Sequence, residues 1–145
     1  MKGMSLIVQT VARIISGVIF IYGIYLITHG HLTPGGGFAG GAVITGAFIL
    51  LVLSYGSDKL RLTSKEARSS LIESLSVFVF LLFGVIGLFL GGKVFFYNYL
   101  PKGVAGELVS GGAIPLMNIA IGIEVAAALF TIFLALVIFR EEVKR

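Results

Sequence analysis

The chain has 145 residues, 57% apolar and 12% charged, with a mean hydropathy of +1.06. Ordinary soluble domains carry about 25% charged residues, and no water-soluble fold of this size hides so much apolar side chain, so the composition points to an integral membrane protein with one small domain, residues 1–145. The lack of cysteine excludes iron–sulfur clusters, thiolate zinc sites and disulfides supplied by this chain, and the net charge of +4 is spread between apolar blocks rather than gathered into a patch for nucleic acid.

The first apolar run covers 6–26 and is broken only by Arg13. It is too long for a secretory signal and lacks a small-residue cleavage site, so it is read as a retained span. Arg13 lies near one membrane face, where a long side chain reaches the headgroups, and is assigned to anchoring.

The stretch HGHLTPGGGFAGGA, residues 29–42, follows. Its formal GxGxxG lacks the preceding strand that a dinucleotide fingerprint needs, so nucleotide binding is set aside. His29 and His31 are the only histidines. A zinc site needs three or four ligands, so a hydrogen-bonded turn is the better reading of the pair and no metal is expected. Pro34 ends the first span by about Thr33. Gly35, Gly36 and Gly37 allow a tight turn. The pairs Gly36/Gly40 and Gly37/Gly41, with Thr45 beyond, then give the second span a small-residue face for close helix packing in lipid. Phe38, set among glycines, is expected to stand out as a plug or wedge.

The second span covers 38–55. Residues 57–70, SDKLRLTSKEARSS, read as a solvated, partly helical connector. The third span, 71–90, carries Glu73 near its start, also read as an anchoring charge. A second turn rich in glycine and proline (Gly103, Gly106, Gly111, Gly112, Pro115) leads into the fourth span, 114–139. Runs of this length cross roughly 30 Å of hydrocarbon as helices and are not barrel strands.

Of the eleven Lys and Arg residues, nine (Lys2, Arg13, Lys59, Arg61, Lys65, Arg68, Arg140, Lys144, Arg145) fall toward the termini or in the middle loop. Two (Lys93, Lys102) fall in the last loop. The asymmetry predicts both termini in the cytoplasm and two hairpin turns outside.

Glu124 is the deepest charge, and a carboxylate at helix centre costs on the order of 3 kcal/mol. Ala120, Ala127, Ala128 and Thr131 share its face, so it should meet another helix rather than lipid. Two readings stand: a proton or cation ligand, or a hydrogen-bonded or ion-paired subunit contact. Asn118 points away from that face and is a candidate for bonding a neighbouring helix. Polar residues are too few to line a whole path, so the chain reads as a subunit of something larger.

GHLTPGGGFAGGA closely resembles the signature of the MnhB/MrpB family of small membrane subunits of multi-subunit Na⁺/H⁺ antiporters, and SGGAIPLMNIAIGIEV is similar to that family's second motif. The resemblance spans most of the chain. It implies a four-helix subunit of a Na⁺/H⁺-exchanging complex in a prokaryotic plasma membrane, with other antiporter-module subunits as partners. No redox cofactor is implied in this chain, which is not expected to be an enzyme. Related subunits occur in archaeal membrane-bound hydrogenases and sulfur-reducing complexes. On the family's pattern His31, Pro34, Gly35–Gly37, Phe38, Gly40 and Gly41 belong to the first motif and Glu124 to the second. The competing reading is a purely structural membrane adaptor.

Overall fold

The computed structural model describes residues 3–56, 62–91 and 94–142, with the backbone alone at 62–66 and 141–142. Four helices account for most of it: α1 Leu6–Thr28, α2 Gly37–Tyr55, α3 Leu62–Gly91 and α4 Ile114–Glu142. All four are long and apolar enough to cross a membrane, and no strand occurs among the described residues. Of the charges used to orient the chain, Lys2, Lys59, Arg61, Lys93, Lys144 and Arg145 lie outside the described residues, as does the side chain of Lys65.

The helices pack in the lateral order α1, α2, α4, α3, with a smaller α1–α4 contact. α2 is the centrepiece because its glycines face two neighbours at once. Gly40 looks toward α1, where a Cβ would stand 2.7 Å from the Gly23 carbonyl oxygen. Gly37 and Gly41 look toward α4, where a Cβ would stand 2.5 Å from the Asn118 oxygen and 2.6 Å from the Gly122 oxygen. Thr45, one turn on, donates to the Ala126 carbonyl at 3.1 Å while also bonding back to Gly41. Residue numbers rise together along this seam, so α2 and α4 run parallel, and α1 runs antiparallel to both. Small residues allow backbones to meet where lipid supplies no hydrophobic drive. At the far end Val52, Leu134 and Val137 close the α2–α4 seam.

The third helix departs from expectation. Residues 62–70, part of the stretch read as a solvated, partly helical connector, are helical throughout. They are the first turns of α3, while 57–61 lie outside the described residues. Ser69 is buried and donates to the Ala127 carbonyl at 2.9 Å, and buried Ser76 lies near Ala120 along the same antiparallel seam. α3 therefore enters beside the middle of α4 and, at 1.5 Å per residue, runs about 13 Å past the start of α4. The glycine side of that overhang is covered by its own following loop. Phe95 and Phe96 lie on Gly84, and Tyr97 lies on Gly87 and Gly91. The Phe96 N–H donates to the Gly84 oxygen at 3.3 Å, and Phe96 stacks against Phe80 with ring centres 5.1 Å apart.

Gly41 and Gly46 provide a paired test. Gly41→Val should lower the unfolding free energy by about 1–3 kcal/mol, because the new carbons meet α4 backbone. Gly46 is exposed and a Cβ there meets nothing within 4 Å, so Gly46→Ala should be neutral or stabilise by up to about 1 kcal/mol. Thermal unfolding in mild detergent reads both, and equal losses in the two variants would contradict the packing described.

Candidate functional site

The two glycine-rich turns meet at one end of the bundle. α1 stops at Thr28, earlier than Pro34 requires, because His29 already begins a turn in which Leu32 and Thr33 N–H groups donate to its carbonyl oxygen. Gly30 and Gly36 touch through their backbones, which closes the turn. Gly36 has φ 97° and caps α2, a conformation open at little cost only to glycine. Pro34 and Gly35 are exposed at the tip. Phe38 projects outward, 69% exposed, as the glycines around it suggested.

The histidines separate in environment. The His29 ring stacks on Tyr25 at 4.1 Å, and its Nδ1 pairs with the Tyr25 carbonyl and the Thr28 hydroxyl, both at 3.1 Å. It is a turn residue. His31 turns inward beneath Gly111, and both its ring nitrogens are buried without a hydrogen-bond partner among the described residues. No group of three His, Cys, Asp or Glu residues that could hold a metal occurs among the described residues.

Asn118, in the second turn of α4, lies against this junction. A Cβ on Gly30 would come within 3.0 Å of its amide nitrogen, and one on Gly36 would stand 3.6 Å from its amide oxygen. It therefore faces the α1–α2 turn, away from Glu124. The α4 N-terminus is held by Asn98, which sequence reasoning missed. Its amide donates to the Gly111 oxygen at 2.8 Å and accepts from the Ala113 N–H at 2.9 Å. An asparagine thirteen residues ahead of a glycine pair carries no local signal for this clip, because the intervening loop decides it.

Glu124 lies two turns below Asn118 and is half-buried, at the edge of the strip where Ala120 and Ala127 are buried against α3. It makes no hydrogen bond or ion pair among the described residues. Glu73 is also half-buried and similarly unpaired among them. Arg13 does have a partner: its guanidinium donates twice to the Tyr55 hydroxyl, at 3.0 and 2.6 Å, tying α1 to the end of α2. The structure thus gathers His31, Asn118 and the glycine turns at one end. Glu124 stands alone at mid-helix, and Arg13 sits near the opposite end. An imidazole and a carboxylic acid can each exchange a proton, and the carboxylate can ligate a cation.

Residues 7–131 match the family model described as a domain related to the MnhB subunit of Na⁺/H⁺ antiporter. An uncharacterized protein of Methanocaldococcus jannaschii is 37% identical over 86% of this chain, which spans 49% of that protein's length. A Staphylococcus haemolyticus protein named as antiporter subunit mnhB2 is 30% identical, over 94% of this chain and 96% of its own. A Na⁺/H⁺ antiporter subunit of Bacillus subtilis is 38% identical over 41% of this chain and 42% of its own. Among solved structures, a chain of the membrane-bound sulfane sulfur reductase, an archaeal respiratory membrane complex, superposes with a TM-score of 0.73 and 31% identity. The match covers 92% of this chain and 58% of that one.

Two substitutions probe the junction. Asn98→Ala should cost about 1–3 kcal/mol, since it leaves the Ala113 N–H and the Gly111 oxygen without their bonds. His31→Phe should leave stability unchanged or raise it, because a ring with no polar atom replaces two buried, unpartnered nitrogens. Unfolding midpoints of the purified chain decide both, and a large loss in His31→Phe would reveal a partner for the imidazole.

Proposed function

This chain belongs to the MnhB family of Na⁺/H⁺ antiporter subunits, and from that membership we propose that it works as a non-catalytic membrane subunit of a cation/proton antiporter module. Its four apolar helices and its relatives make it a multi-pass protein of a prokaryotic plasma membrane. Its partners in this reading are the other membrane subunits of the module, and Na⁺ and H⁺ are the ions that the assembly carries. The chain supplies no redox cofactor of its own, in keeping with its lack of cysteine.

One observation carries the reading furthest. Glu124 is half-buried at mid-helix with no partner among the described residues of its own chain. An ionisable group there is expensive unless an ion or a neighbour satisfies it. A neighbouring subunit's helix against the half-buried Met117–Ala128 side of α4, which α3 leaves open, would bring Glu124 into a shared route. His31 and Asn118 at the glycine-turn end are the polar groups through which this chain would continue that route, and the glycine-packed helices brace it.

A second reading is favoured by the structural likeness to the sulfur reductase chain: the same ion-handling subunit within a redox-driven respiratory complex. The two share this chain's role and differ in what drives the ions.

Glu124→Gln tests the role. In everted membrane vesicles, Na⁺-dependent proton flux should fall by about tenfold or more, the change produced by losing about 1.4 kcal/mol of ion stabilisation, while the subunits still co-purify in normal amounts. Full flux in the assembled variant would reduce Glu124 to a structural contact. Mass spectrometry of the gently extracted complex separates the two settings, because metal-bearing peripheral subunits would accompany only the respiratory one.

A further inference from the structure

The offset of α3 opens a cavity on one side of the bundle, with a volume of about 670 Å³. α4 forms its floor, α1 and α2 one wall, and α3 the other. Phe20, Phe48, Ile72, Ile123 and Phe130 are among the apolar residues lining it, and several of them are more than a third exposed, so the cavity opens sideways. Arg68 is the one charged side chain lining it among the described residues. The two hydroxyls at its edge are committed elsewhere, Ser69 to the Ala127 carbonyl and Thr28 to the Ile24 and Tyr25 carbonyls.

Arg68 has a fixed height. It directly precedes Ser69, whose bond to Ala127 sets α3 against the middle of α4. From there the apolar lining continues past Ile123 to Ile119 and ends at Thr28. At 1.5 Å per residue that path is about 12 Å along α4. One cation at one end of an open-sided apolar trough is the complement of an amphiphile with an anionic head. Arg68 is exposed at the open side of the trough, where a guanidinium facing hydrocarbon costs several kcal/mol unless it draws an anionic group to itself, and basic pockets between membrane helices take acidic lipid headgroups. The volume lies within the roughly 300–1,000 Å³ of small-ligand sites, whereas a partner helix about 10 Å across would be seated only in part.

We propose that this cavity is a binding site for an anionic phospholipid, with its phosphate on Arg68 and an acyl chain along Ile72, Ile123 and Ile119 toward the glycine turns. The site is separate from Glu124, which lies on the other side of α4 from the cavity floor, so it holds or falls independently of the antiporter reading.

The test uses the full chain within its extracted complex, stripped of lipid and titrated with phosphatidylglycerol or phosphatidylcholine under native mass spectrometry. Phosphatidylglycerol should bind in preference. Arg68→Gln should weaken it by about tenfold, as expected on losing a hydrogen bond to a charged group. Ile123→Trp, which fills the trough and keeps the arginine, should also reduce binding and so guards against misfolding of the first variant. Equal binding of the two lipids, or undiminished binding in both variants, would overturn the site. So would a photoreactive residue at position 123 that crosslinks in native membranes to a polypeptide instead of a lipid.

Discussion

The arrangement depends on how closely α2 approaches two other helices. Gly40 lets the α1 backbone in on one side, and Gly37 and Gly41 let the α4 backbone in on the other. In lipid the apolar surface of a helix gains nothing by leaving its surroundings, so contact distance and interhelical hydrogen bonds must hold the bundle. Thr45 adds the hydrogen bond, and its reach to the Ala126 carbonyl fixes the register of α2 on α4. Shift that register by one turn and Thr45 would lose the Ala126 carbonyl, while Asn118 would leave the turn it packs against.

Because α2 and α4 run parallel, both glycine-rich turns deliver helix starts to the same end of the molecule. This brings His31 under Gly111 and Asn118 against Gly30 and Gly36, residues far apart in the chain. The turn glycines thus act twice. They bend the chain, as Gly36 does at φ 97°, and they leave room for the polar side chains of the other turn. The junction is polar because of what the packing brings together, since neither turn alone would bury an imidazole.

Much of this was legible from residue spacing. The four apolar runs announced four helices, and the four-residue glycine spacing announced close packing on α2. Spacing could not say that Gly40 serves α1 while Gly37 and Gly41 serve α4, because a helix face has no address until its neighbours are known. The HxH pair showed the same limit: His29 follows its own helix and bonds to Tyr25, whereas the fate of His31 is decided by a distant loop, the one that carries Gly111. The start of α3 lies ahead of its apolar run for a different reason. Hydropathy placed the membrane segment at 71, but the hydrogen bond of Ser69 to the Ala127 carbonyl seats the turn before it against α4. Serine reads as a loop residue by composition, yet buried against a carbonyl it is a helix-packing residue. Likewise Gly84, Gly87 and Gly91 passed as part of an apolar run, although they form the bed on which Phe95–Tyr97 lie.

The α3 offset also bears on why such a chain works in company. α1, α2 and α4 form one glycine-packed unit, while α3 makes its main contact with α4 alone. Of the described polar side chains in its first turns, Arg68 and Ser70 are exposed and Ser69 is buried, and they lie beside the middle of α4. A lone bundle in a uniform bilayer would hold these groups against hydrocarbon at a cost of several kcal/mol. The apolar overhang at the other end has the opposite problem, since Phe89 and Leu90 are largely exposed beyond the start of α4. Both mismatches are relieved if the membrane boundary follows α3 on this flank, or if neighbouring subunits cover it. A single helix set off by about a third of its length therefore makes one flank of the protein unlike the other, and that asymmetry gives an assembling complex a definite side on which to build.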